Sequence, residues 1–339
     1  MHSVSVIKRT LGRSGIEVSA LGLGCWAIGG PFLLDGLPDG WGDVDDAESI
    51  RAIHRALDLG VNFFDTADVY GAGHSERVLG QALKGRREHA VIATKFGFLF
   101  DETTRRAEGT DVSPAYIRKA CEASLRRLGT DYIDLYQCHV GNVPEEQADD
   151  VWATLDRLVE EGKIRAYGLS TWDAGYARAF AARSRGAAIQ FGANVLRDAP
   201  ELFAVAEAFG LAGIINAPLA MGLLSGKFHR DSRLPSDDVR GNPHPWLAYF
   251  RDGKPVPEFL DRLDAVRDIL RSGGRTLAQG ALAWLWARSP QAIPIPGFKN
   301  VVQVEENCRA LQFGPLTQDQ MDEIERLLRE AAQLAGEGA

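Results

Sequence analysis

Residues 132–170 read YIDLYQCHVGNVPEEQADDVWATLDRLVEEGKIRAYGLS. Two short apolar runs, YIDLYQCH (132–139) and IRAYGLS (164–170), flank a longer amphipathic stretch at 145–160. Short apolar run, amphipathic helix, short apolar run is the pattern of a βαβ unit. The alternation continues upstream as SALGLG (19–24) then 45–58, VNFFD (61–65) then 75–83, and AVIATK (90–95) then 113–128. Downstream it continues as 173–183, AAIQFGA (187–193) then 200–208, LAGIINA (211–217), and AIPIPG (292–297) then 301–310. Eight strand candidates in one register, with no linker between them, predict an α/β chain folded as one (β/α)8 TIM barrel over residues 1–339. Periodicity alone leaves an open doubly wound sheet as the alternative.

Local signals fill in the rest. GRSG (12–15) breaks residues 6–18 into an N-terminal β-hairpin that would plug the barrel. Ser113 and Pro114 read as N-cap and first residue of a helix that Gly129 closes, and Thr317 precedes a C-terminal extra helix ending near Leu334. LAQGALAWLWA (277–287) reads as helical, with Trp284 and Trp286 as outer packing. Residues 229–257, rich in proline and charge, read as a long loop of the functional or mobile kind.

Composition narrows the partners. With 45% hydrophobic and 25% charged residues the chain has the material for a large core. A net charge of −8 with scattered Lys and Arg offers no basic stripe for nucleic acid. Cys25, Cys121, Cys138 and Cys308 form no CxxC pair, which suits reduced thiols and disfavours zinc. The N-terminus lacks an apolar signal core, and no run reaches the roughly eighteen apolar residues of a membrane span. The expectation is a cytoplasmic protein acting on a small molecule, with neither membrane nor metal.

Active sites of such barrels form at the C-terminal strand ends. Asp65 ends the second strand, Tyr70 follows in DTADVYG, Lys95 ends the third in ATKFG, and His139 ends the fourth. Singly, each has an ordinary reading: a turn-forming Asp, a solvated Lys, a structural His, a packing Tyr. Together they meet the needs of carbonyl reduction. Tyr70 can donate a proton, Lys95 can lower the phenol's pKa, Asp65 can hold the lysine, and His139 can orient the carbonyl oxygen.

These residues carry a resemblance that runs nearly end to end, through LGRSGIEVSALGLGCW, GVNFFDTADVYG, SERVLGQAL, SLRRLGTDYIDLYQCH, GKIRAYGLST, PLAMGLLSGKF and PIPGFKNVVQVEEN. The chain resembles the aldo-keto reductases. The resemblance implies that Asp65, Tyr70, Lys95 and His139 are a catalytic tetrad. It also implies a nicotinamide dinucleotide lying across the barrel mouth without a Rossmann fold, and no strand-GxGxxG-helix unit is present; LGLGCWAIGG reads as a tight turn. By the same resemblance Gly24 and Trp26 line the pocket, Ser170 and Gln190 hold the carboxamide, and Leu219, Gly222, Leu223 and Ser225 follow the pyrophosphate. Lys227 would add charge there, and Gly297, Phe298, Lys299, Gln303, Glu306 and Asn307 would wrap the adenosine end.

Three departures from the family habit stand out: Thr171 stands where Asn is common, Asn216 where an aromatic often stacks on nicotinamide, and Asn300 and Gln303 where an arginine often meets the 2′-phosphate. Lys299 is the nearest cation left. The cofactor expected is NADP (NADPH), with NAD as the alternative. The reaction expected is reduction of an aldehyde, ketone or sugar carbonyl, or the reverse. Trp26, the aromatics near 96–100, Trp172 and the 229–257 segment are candidates for the substrate wall. Two rival readings remain: a nicotinamide-binding regulatory subunit with little turnover, and a metal-dependent barrel hydrolase or isomerase using Asp65 and His139.

Overall fold

In a strand every second side chain faces the same way, so a barrel strand needs inward residues that fill a closed interior. Phe63, Val91, Ala93, Leu135, Ala188, Ile214 and Ile293 meet that need and form one buried cluster. They lie on six of the eight strands β1 (Gly22–Gly24), β2 (Phe63–Asp65), β3 (Val91–Phe96), β4 (Ile133–Cys138), β5 (Ile164–Ser170), β6 (Ala188–Gly192), β7 (Ala212–Asn216) and β8 (Ala292–Pro294) of a computed structural model describing residues 7–336. The eight strands pair in parallel in sequence order. A bridge between Gly24 and Gly297 joins the ends, where the Gly24 N–H donates to the Pro296 carbonyl at 3.0 Å. The closed barrel predicted from alternation is therefore present, and the open sheet is not.

Helices α1 (Asp46–Asp58), α2 (His74–Ala82), α3 (Pro114–Leu128), α4 (Glu145–Glu160), α5 (Ala174–Arg183) and α6 (Pro200–Phe209) follow, with α7 (Pro257–Arg271), α8 (Leu277–Arg288), α9 (Val301–Arg309) and α10 (Gln318–Gly336). Their apolar faces and the outward strand residues make the larger core between barrel and helices. The α3 caps are as read: Ser113 accepts from the Tyr116 N–H, Pro114 opens the helix, and Gly129 closes it in the left-handed conformation. Trp284 and Trp286 pack in this outer layer, and the Trp286 indole N–H donates to the Ala20 carbonyl. All four cysteines are free and buried.

The hairpin pairs Lys8–Thr10 with Glu17–Ser19; Val6, its expected first residue, lies outside the described residues, as do the ends of the 1–339 unit. Leu11, Ile16 and Val18 join the interior cluster from below. Gly12 wedges the connection into the floor. At φ 51° a Cβ there would lie 1.9 Å from the Ala187 carbonyl oxygen, so only glycine fits.

Three features depart from the sequence reading. A small sheet of Leu37–Pro38, Leu33–Leu34, Arg106–Thr110 and Phe98–Asp101 stands beside the mouth. Helix α7 begins at Pro257, where the reading ended its loop. Residues 229–257 are a structured strap, with a 3-10 turn at Val239–Gly241 and a short hairpin pairing Phe250–Arg251 with Lys254–Pro255. The cause is Arg240, which pairs with Asp238 through two guanidinium nitrogens and donates to the Met221 carbonyl at 3.0 Å. Its charge lies over the rings of Trp41, Phe228 and Phe250, an aromatic setting that favours a guanidinium.

Candidate active site

The inward faces change from apolar to polar toward the C-terminal ends of the strands. Phe63 is followed by Asp65, Ala93 by Lys95, Leu135 by Gln137 and Ala188 by Gln190, each two residues on and so on the same face. This stacks a polar layer on an apolar one. Lys95 Nζ donates to Asp65 Oδ1 at 2.6 Å, to the Thr66 carbonyl at 2.8 Å and to the Tyr70 hydroxyl at 3.2 Å. The other Asp65 oxygen accepts from Gln137 Nε2 at 2.9 Å and Gln190 Nε2 at 2.8 Å. Lys95 is fully buried and Asp65 nearly so. A buried ion pair is tolerated when its remaining lone pairs and protons are satisfied, which the two glutamines and the Thr66 carbonyl accomplish here.

Tyr70 reaches this layer from the loop after β2. Gly29 and Gly71 bring that loop against the turn carrying Trp26, because a Cβ on Gly71 would sit 1.8 Å from the Gly29 carbonyl oxygen. The Trp26 and Tyr70 rings stack at 5.8 Å, and His139 meets Tyr70 edge-on at 5.9 Å and Phe98 at 5.1 Å. The four residues picked from the sequence are thus one constellation.

Its protonation states follow from burial and charge. Burial pushes the Tyr70 hydroxyl above the ordinary phenol range, and the Lys95 ammonium offsets only part of that. Lys95 lowers the phenol as expected, but burial outweighs it, so the net direction is upward. Burial alone would depress Lys95, but Asp65 and Tyr70 hold it above its ordinary range. Burial, then the Lys95 charge, keep His139 well below the usual imidazole range. The site therefore holds a neutral phenol, an ammonium and a neutral imidazole.

The residues expected to bind a cofactor fall along the same rim. Ser170 lies opposite Gln190 in the β5–β6 register and is half-buried, while the Gln190 amide nitrogen is committed to Asp65. Thr171 is buried and accepts from the Asp173 N–H. Asn216 ends β7, next to where the exposed Trp172 ring covers Gly192: a Cβ on Gly192 would lie 2.1 Å from Trp172 and 3.0 Å from Asn216 Oδ1. Leu219 caps a 3-10 segment, Ala220–Ser225, with Met221 and Gly222 at positive φ, and Ser225 Oγ donates to the Gly222 carbonyl. Phe298 and Asn307 are buried, Gly297 is exposed, and the Glu306 carbonyl accepts from Gln279.

Charge along this rim suits an anion. Desolvation lowers the Lys227 ammonium from its ordinary range, and the like charges of Arg240 and Lys299 lower it further, with Asp238 opposing. A pyrophosphate placed there would relieve that repulsion, so the residues present fit the anionic part of a dinucleotide. Among the described residues no group of three His, Cys, Asp or Glu side chains could hold a metal ion, so the hydrolase reading has no ligand set.

Several neighbours of the site carry little or no signal in the sequence. Gln137 carried a signal, since it shares its strand face with His139 and is polar in a buried run. Asp39 did not: its carboxyl is buried beside Trp26, whose indole donates to the Asp39 carbonyl at 2.9 Å, and burial with nearby Asp35 pushes it up to about 8. From the strap, His244 stands 3.6 Å from Asp39, and Trp246 stacks on His244 and packs on Trp26.

An ammonium shared between a carboxylate and a phenol thus lies at the barrel mouth. The Aldo/keto reductase family model matches residues 20–329, and the chain belongs to that family. It is similar to the glycerol dehydrogenase of Gluconobacter oxydans, at 31% identity and a TM-score of 0.79, covering 98% of this chain and 97% of that one. It is also similar to the holo form of an aldo-keto reductase from Bacillus halodurans, at 32% identity and a TM-score of 0.76, covering 95% and 96%. An aldo/keto reductase from Klebsiella pneumoniae in complex with NADP and acetate aligns at 26% identity and a TM-score of 0.70, covering 95% and 96%. No helix among the described residues is long and apolar enough to cross a membrane.

Proposed function

We propose that this chain, acting as one catalytic unit, reduces a small aldehyde, ketone or hydroxylated carbonyl to an alcohol, or runs the reverse reaction, with Tyr70 as the proton donor. The observation that carries the proposal is the buried Lys95 ammonium, which touches both Asp65 and the Tyr70 hydroxyl. NADPH is the cofactor assigned, with NADH as the alternative, supported by the Klebsiella pneumoniae complex with NADP. When bound by the rim residues assigned below, it would supply the hydride for the carbonyl carbon.

The chain's own residues do the rest. His139, neutral and pressed between Tyr70 and Phe98, presents the carbonyl oxygen to Tyr70. As charge develops on that oxygen, the phenol proton moves to it and the phenolate left behind is stabilised by the Lys95 ammonium. Asp65, held by Gln137 and Gln190, keeps the ammonium charged and aimed. Trp26, packed on Trp246, and Phe98, packed on His139, give the mouth an aromatic wall. Ser170 and Asn216 are assigned to the nicotinamide end, Leu219 to Lys227 to the pyrophosphate, and Gly297 to Asn307 to the adenosine end.

The test follows oxidation of NADPH and of NADH against a panel of small aldehydes, ketones and hydroxycarbonyls. Polyol-derived carbonyls come first because of the likeness to a glycerol dehydrogenase. Many turnovers per chain are expected. A burst limited to one equivalent would favour the regulatory-subunit reading instead.

A further inference from the structure

Where β8 leads into α9, a carboxylate already occupies the start of the helix. The Val301 N–H donates to Glu48 Oε1 at 2.9 Å, joining positions 253 residues apart, while Arg51 donates to Oε2 at 2.6 Å. The Val301 N–H, then the Arg51 guanidinium, hold Glu48 below the ordinary carboxylate range, so it is an anion. The neighbours offered by the sequence as phosphate partners are also engaged. Lys299 Nζ donates to the Trp41 carbonyl at 2.9 Å, Gln303 Oε1 accepts from the Lys299 N–H at 2.7 Å, and Asn300 Oδ1 accepts from the Gln303 N–H at 2.9 Å.

The partial positive charge at a helix start favours one anion there. A second anion brought beside Glu48 meets like charge and finds the Val301 donor taken. We propose that Glu48 is an internal competitor for the 2′-phosphate of NADPH and so sets the chain's selectivity between NADPH and NADH. The inference rests on the assignment of Gly297–Asn307 to the adenosine end. Two features let the carboxylate yield. Its side chain is 26% exposed, and Arg51, three residues along α1, remains its partner after it leaves the Val301 N–H. The phosphate then takes the vacated donor and the Lys299 charge, which now serves only a neutral carbonyl. NADH lacks the phosphate and leaves Glu48 in place. Glu48 is therefore a specificity-determining residue that acts on one cofactor and not the other.

The test uses 2′,5′-ADP and 5′-ADP, which carry the adenosine end with and without the 2′-phosphate and have no nicotinamide. Isothermal titration compares wild type, Glu48→Gln and Glu48→Asp, with a thermal melt of each. Glu48→Gln keeps an acceptor for Val301 but removes the charge, and it should tighten 2′,5′-ADP by about three- to tenfold while 5′-ADP changes less than about twofold. Glu48→Asp, a methylene too short to hold Val301 but still charged, should give a smaller gain in the same direction. An unchanged ratio of the two affinities, or weaker 2′,5′-ADP binding in folded Glu48→Gln, overturns the proposal while leaving the cofactor assignment intact. Failure of wild type to bind either nucleotide removes the adenosine-end assignment and the proposal with it.

Discussion

Replacing Lys95 by Met exchanges a buried ammonium for an apolar chain of similar length and leaves the Asp65 carboxylate without its cation. The lost contacts are those to Asp65 at 2.6 Å, the Thr66 carbonyl at 2.8 Å and Tyr70 at 3.2 Å. Breaking one side of a buried pair costs about 3–5 kcal/mol, because the remaining charge has no water to return to. Gln137 and Gln190 still donate to Asp65, which places the loss near the lower end, about 3 kcal/mol. With an unfolding entropy of about 2.1 cal/mol/K per residue, the 339 residues carry ~0.7 kcal/mol/K, so the midpoint should fall by about 4 °C. Asp65→Asn added to Lys95→Met removes the stranded charge and should restore most of the loss. Urea unfolding followed by tryptophan fluorescence, paired with calorimetry, measures both variants. A Lys95→Met protein within about 1 kcal/mol of wild type, or a double variant no more stable than the single, would refute the view that this layer is held by charge pairing.

Tyr70→Phe should cut carbonyl reduction by about a hundredfold or more, with cofactor quenching of tryptophan fluorescence unchanged; retained turnover removes Tyr70 from the chemistry. Because burial and the Lys95 charge hold His139 well below the imidazole range, the wild-type reduction rate should show no break near pH 6.5. A break near pH 6.5 would show that His139 titrates in the working range. Asp39, raised to about 8, binds its proton more tightly in the folded chain, so it stabilises fully below the unfolded value near 3.8 and loses that contribution as pH rises through about 8. Asp39→Asn should therefore exceed wild type in urea stability at pH 8.5, by a margin that vanishes toward pH 4. Arg240→Ala strips the strap of its ion pair and its aromatic cage and should speed limited proteolysis within 229–257, while a uniform change over the whole chain would place the defect elsewhere.

The barrel was legible because its strands are buried on both faces and read as short apolar runs between amphipathic helices. The small sheet was not, since Leu33–Leu34 and Leu37–Pro38 are too short to show a period and Arg106–Thr110 is mostly exposed. Helix α7 had its signal in Pro257, and assigning that proline to the end of a loop hid it. Asp65, Lys95 and His139 stood out as polar residues closing apolar strands, and Gln137 obeyed the same rule two residues before His139. Glu48, Asp39 and His244 lay beyond reach for a different reason. Their partners are set by which distant segments the closed barrel brings together, and a single sequence carries no local trace of that. The direction of the Tyr70 shift was misjudged because the ammonium was counted and the loss of water was not.

The glycine wedge at residue 12 closes one end of the barrel. With the hairpin filling the floor, the polar layer opens toward the opposite mouth. The strap crosses that mouth, tied to the Met221 carbonyl on one side and resting through Trp246 on Trp26 at the other. On the proposed function, nucleotide and substrate would share that one mouth, and the strap would stand over both.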